Sequence, residues 1–116
     1  IKERVAEKKV SENPPTESNI MLLGRGNFTC CELYTGRYFT SDMDTLNKAV
    51  NTINSRINHE LYVTMDEFYE LLGIPGTTES NRIGWDSDKM MELKFSSTIY
   101  DDRPCLTFQY DYVKVL

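Results

Sequence analysis

An α+β fold is what this sequence predicts: an antiparallel sheet of about five strands with two central helices packed on one face, plus a separate N-terminal helical tail. Three observations carry the prediction. Two helix starts lie in mid-chain, Ser41-Asp42-Met43-Asp44 and Thr64-Met65-Asp66-Glu67, each after a short aromatic strand-like run, Tyr38-Phe39 and Tyr62-Val63. Between them Met43, Leu46, Val50, Ile53 and Ile57 recur at spacings of three and four, one apolar stripe on a helix. From Met91 onward the pattern changes to alternation, the period of a half-buried strand.

In chain order, residues 1–10 carry interleaved Lys, Arg and Glu and read as the end of a solvated helix. Residues 11–19 contain Pro14-Pro15 among polar neighbours and read as a linker, because the prolines forbid helix and nothing there can be buried. The chain therefore divides into a tail and linker, 1–19, and a single domain, 20–116. A meander opens that domain: Ile20 to Leu23, a turn at Gly24-Arg25-Gly26-Asn27, Phe28 to Tyr34, a turn at Thr35-Gly36-Arg37, then Tyr38 to Thr40.

The first helix is expected over Asp42 to about Asn58, with Ser41 as its cap. Asp42 and Asp44 sit in the first turn, where the helix dipole favours them. The second is expected over Met65 to Leu72, capped by Thr64 and Glu67 and stopped by Gly73 and Pro75. A polar loop over 76–81 leads to Ile83-Gly84-Trp85 and a turn at Asp86-Ser87-Asp88. The last two strands face each other across Asp101-Asp102-Arg103, with Pro104 at the start of the return, where a missing donor is tolerated. Tyr100, Tyr110 and Tyr112 on this hairpin are suited to extending a sheet with a neighbour.

At 116 residues the chain can bury a modest core without a metal or disulfide staple. Apolar residues are 40% and charged residues 27%, a balance that folds. A formal charge of −5 argues against non-specific nucleic-acid binding, so no nucleic acid is expected among its partners. No apolar run reaches the roughly 20 residues of a spanning helix. Of the three cysteines, Cys30 and Cys31 are adjacent and point to opposite faces of a strand. Free thiols are expected, with a bridge from Cys105 to Cys31 or Cys30 as the alternative.

No catalytic, cofactor or metal site is predicted. Gly24-Arg25-Gly26 lacks the third glycine, the Lys-Ser/Thr and the following helix of a phosphate loop. The acidic pairs Asp42/Asp44, Asp86/Asp88 and Asp101/Asp102 suit helix starts and turns, and none belongs to a calcium loop. His59, the single histidine, falls in the expected last turn of the first helix and has no nucleophile at a telling spacing. What remains is a candidate interaction surface. Asn47, Asn51, Asn54 and Asn58 form a stripe beside the apolar one, although asparagine is a poor helix former. Their amides donate and accept without the desolvation cost of charge. Tyr34, Tyr38 and Trp85, aromatics gathered near the helix ends, join them as candidates.

Four blocks carry a resemblance: Leu33 to Asp42, Tyr62 to Ile74, Ile83-Gly84-Trp85 and Asp101 to Cys105. In order and spacing they resemble an uncharacterised domain-of-unknown-function family of phage and prophage proteins from Gram-positive, largely gut, bacteria. The resemblance implies longer members with upstream hydrophobic segments, to which residues 1–10 would be the joining helix, and it brings no catalytic residues. The expectation is a non-catalytic phage or prophage protein that acts through protein–protein contacts, as a virion or tail-associated structural component. The alternative is an intracellular host-interaction or anti-defence protein that binds a host protein. Its partner would be a phage structural protein, a host protein or a second copy. Its place would be the virion or host cytoplasm, with membrane association only through the upstream segments of a longer form.

Overall fold

The computed structural model describes residues 21–116. The expected tail and linker and Ile20 lie outside the described residues. Seven strands and two helices follow in the order β1 (Phe28–Glu32), β2 (Arg37–Ser41), α1 (Met43–Ile57), β3 (Tyr62–Thr64), α2 (Met65–Leu72), β4 (Ile83–Asp86), β5 (Leu93–Tyr100), β6 (Arg103–Tyr110) and β7 (Lys114–Val115). The α+β class is as expected, but the strands make two sheets. One has the order β2-β1-β6-β5 and the other β3-β4-β7.

The large sheet is mixed. β1 pairs antiparallel with β2 and parallel with β6, Cys30 lying opposite Phe39 on one side and Leu106 on the other. The expected opening meander is also different, because Leu22 bridges Phe39 in parallel on the outer side of β2. Leu22 donates to the Tyr38 carbonyl and accepts from the Thr40 N–H, at 3.1 and 3.2 Å, so residues 24–27 cross over an end of β2 instead of turning a hairpin. Gly24 is fixed there by its N–H on Thr40 Oγ1, 2.9 Å.

α1 is capped by Asp42, not Ser41: the Asp42 carboxylate accepts the Thr45 N–H at 2.7 Å. Ser41 is still β2, and its buried hydroxyl has no hydrogen-bond partner among the described residues. α2 has the expected capping box, with Glu67 reaching back to the Thr64 N–H at 3.2 Å. It ends at Gly73 in the left-handed region, φ 80°, where a Cβ would be strained. Gly84 allows β4 to lie against β3, since a Cβ there would run into the Val63 carbonyl.

One core joins the parts. Leu46, Ala49, Ile53 and Ile57 of α1 and Phe68 and Leu72 of α2 are buried with Cys30, Phe39 and Phe108 of the large sheet and Val63, Ile83 and Trp85 of the small one. Phe68 sits at its centre, edge-on to Trp85, Phe108 and Tyr110 at centroid distances of 6.3, 6.4 and 5.8 Å. The sheet face away from the helices also has buried groups, Cys31, Cys105 and Thr107. There Tyr38, opposite Cys31 in register, stacks on Tyr100 at 3.9 Å. All three cysteines are free, and burial pushes the Cys30 and Cys31 thiols up to about 12. No helix among the described residues is long and apolar enough to cross a membrane.

Candidate functional site

Glu32 is the least expected residue in the fold: a carboxylate with no exposure at all, at the end of β1. The four-residue turn to β2 sets it opposite Arg37, itself buried. One Glu32 oxygen accepts the Tyr69 hydroxyl at 2.6 Å and also the Tyr110 hydroxyl. The other accepts the Thr35 N–H at 3.1 Å and the Thr35 hydroxyl. Burial and the neighbouring carboxylate raise the Tyr69 and Tyr110 phenols well above their ordinary range. Arg37 closes the cluster. Its Nε donates to Thr35 Oγ1 at 3.0 Å, its Nη1 to the Pro75 carbonyl at 2.7 Å, and its guanidinium lies 4.7 Å from the Tyr69 ring centre.

The chemistry of this cluster is cohesive. Every Glu32 oxygen is already taken by donors from β1's own turn, from α2 and from β6, so the carboxylate pins helix to sheet and offers no free base. Residue patterning does not single it out, because Cys30-Cys31-Glu32-Leu33 has no clear alternation. Register would have: a turn at 33–36 puts Glu32 on the same face as Arg37 and Phe39.

The surface of the described residues carries shallow grooves, of which two bear on the site. One of about 470 Å³ runs over Leu33, Tyr34 and the segment Gln109–Val113, beside the Glu32 cluster. The other, about 430 Å³, lies between Leu61, Tyr62 and Arg82 on one side and Lys114 and Leu116 on the other. At its rim Lys114 bridges Asp86 and Asp88, 2.7 and 2.6 Å, which holds the Asp86 carboxyl below its usual range and raises the lysine. Among the described residues no three acids, thiols or imidazole come together as metal ligands. His59 lies just past α1, exposed, with Nδ1 3.0 Å from the Ser55 carbonyl.

The candidate surface residues separate. Asn47, Asn51 and Asn58 are exposed along α1, and Tyr34 is half-exposed. Asn54 is engaged inside the fold: its amide donates to the Met91 carbonyl at 3.0 Å and accepts the Met91 N–H at 2.8 Å. This pair of bonds leads the chain into β5. Trp85 is withdrawn from any surface, fully buried, with Nε1 donating to the Tyr112 carbonyl at 2.6 Å. Tyr38 is partly covered by Tyr100.

The most open structural feature is β5. It runs at the outer edge of the large sheet, and Lys94 to Ile99 are exposed without interruption. Phe95, 37% exposed, still reaches the Phe108 ring at 6.4 Å, whereas Ile99 is 68% exposed. No curated protein and no solved structure matches the chain. The whole of it, residues 1–116, matches the model of the "Family of unknown function (DUF6353)". The chain belongs to the DUF6353 family.

Proposed function

We propose that this chain is a non-catalytic contact domain that works by binding other protein, and that it serves in a phage or prophage as a virion or tail-associated component. The supporting observation is the contrast between its polar interior and its edge. Glu32, Arg37, Asn54 and Asp66 are tied into the fold by hydrogen bonds, Asp66 to the buried Ser80. β5 meanwhile presents a long open strand with Phe95 and Ile99 uncovered. An open edge of that kind gives affinity through main-chain bonds and selectivity through alternate side chains.

The direct test is quantitative mass spectrometry of purified particles from an induced host. A virion component is expected at a fixed copy number per particle. Absence from particles would overturn the virion assignment, and a single stoichiometric host partner in its place would favour the host-interaction alternative.

A further inference from the structure

The two sheets have four outer edges among the described residues, and three of them are blunted. β2 is bridged by Leu22, β3 has three residues, and β7 has two. β5 has eight, with no proline, no glycine and a single charge, Lys94. Natural edges of that length usually carry a device against pairing. From this we infer that the open edge of β5 pairs with β5 of a second copy of this chain, antiparallel about a two-fold axis through Ser97. The inference rests on the contact function proposed above and names its partner.

The register follows from which backbone groups are free. The Asp111 N–H donates to the Glu92 carbonyl at 2.9 Å, and β5 continues that pairing with β6, Lys94 opposite Gln109 and Ser96 opposite Thr107. Even-numbered residues therefore turn their N–H and C=O toward β6, and Leu93, Phe95, Ser97 and Ile99 turn theirs outward. A two-fold axis normal to the sheet keeps each face on its own side, so the pairs join odd residues to odd residues. With the axis at Ser97, Phe95 meets Ile99 of the second copy, Ser97 meets Ser97, and Ile99 meets Phe95, each pair exchanging both main-chain bonds.

The side chains agree with this register. Phe95 and Ile99 lie on the helix side of the sheet, where each covers its counterpart in the other copy. On the opposite face Lys94, which lies 3.4 Å from its own chain's Asp111, comes opposite Tyr100 and diagonal to Asp102 of the second copy, while Glu92 comes opposite that Asp102 just beyond the strand's end. The strand's one cation keeps its own acid, Asp111, and no lysine meets a lysine. Such a strip buries less than about 1,200 Å², the class of weak, exchanging pairs, so the dimer forms at high local concentration, as in an assembly.

Sedimentation equilibrium from about 10 μM to about 1 mM is expected to show a monomer–dimer equilibrium. Ile99→Lys, at an exposed position, should weaken it at least about tenfold with the thermal melt unchanged. Ser97→Cys should cross-link to its own copy on mild oxidation, since paired Cα atoms about 5.5 Å apart are within disulfide reach. Ser87→Cys, in an exposed turn away from the edge, should not, and the wild-type chain with its buried thiols provides the blank. A monomer throughout the range would overturn the inference and leave the particle test untouched. A dimer indifferent to Ile99→Lys, with no Ser97 cross-link, would place the contact on another surface and overturn it as well. Protection of the Phe95, Ser97 and Ile99 amides from hydrogen exchange in dilute monomer would assign the edge to residues 1–20, and self-pairing through β5 would then be refuted.

Discussion

Glu32 brings a carboxyl group into a site with no exposure, and such burial is tolerated only where hydrogen bonds replace the lost water. Here Tyr69, Tyr110 and Thr35 supply them. Glu32→Ala would leave the Tyr69 and Tyr110 hydroxyls without their acceptor, and it should cost about 1–3 kcal/mol for each in urea unfolding. Tyr69→Phe removes one donor to a charged acceptor and should cost about 1.5–3 kcal/mol by the same measurement. A result near zero for both would mean that the cluster is not what joins α2 to the sheet. Arg37 adds a further detail, since its Nη2 has no partner among the described residues. Arg37→Lys would lose the guanidinium fork that reaches Thr35 and the Pro75 carbonyl together beside the Tyr69 ring, so the exchange is not conservative here.

At the scale of elements, the stripe of asparagines is a set of unlike residues. Asn54→Ala should cost about 1–3 kcal/mol in thermal or urea unfolding, because the Met91 N–H and C=O lose their partners at the entry to β5. Asn47→Ala and Asn51→Ala, both exposed, should leave stability within about 0.5 kcal/mol or raise it, since alanine is the better helix former. Asp42→Ala should lower the melting temperature as a lost cap, and by more than Ser41→Ala, whose hydroxyl has no partner among the described residues. These elements show what local sequence can fix. Apolar spacing and the Gly73-Ile74-Pro75 stop place both helices to within a residue or so of their ends. The first cap is displaced by one because Ser41 and Asp42 are both capping types, and only tertiary packing, which turns Ser41 into the β2 face, decides between them. Asn54 differs from Asn51 solely by what lies across from it, and a single helix pattern does not contain that information.

For the whole molecule, the strands were legible but their neighbours were not. Alternation finds β5 and β6, and a short aromatic run finds β3, yet the parallel pairing of β1 with β6 joins segments far apart in the chain and leaves no local pattern. Dividing the strands into two sheets has the same origin: β7 is two residues long and exists because β4 is there to pair with it. The pH dependence of stability integrates all of these placements. On the acid side Asp42, Asp86 and Asp111 are held below their ordinary 3.8 by the Thr45 N–H, by Lys114 and by Lys89 respectively. Groups lowered on folding stabilise above their unfolded pKa, and that stability is lost as pH falls through the folded values, below about 4. On the alkaline side the signs reverse. Unfolded thiols ionise near 9.0 and unfolded phenols near 10.0, whereas burial keeps Cys30, Cys31, Tyr69 and Tyr110 protonated in the fold to higher pH. The native state then binds more protons than the unfolded state, so stability falls as pH rises above about 9. The acid groups stand at the surface, partly open to water that screens them, whereas Cys30, Cys31 and Tyr69 are buried and Tyr110 packs against the core. Melting temperature should therefore be nearly level from about pH 5 to about pH 9 and fall more steeply beyond the upper limit than below the lower one. Absorbance at the tyrosinate band gives the matching readout: of seven tyrosines, Tyr69 and Tyr110 should ionise only together with unfolding. Their ionisation in an intact fold near pH 10 would contradict the burial that the Glu32 cluster requires.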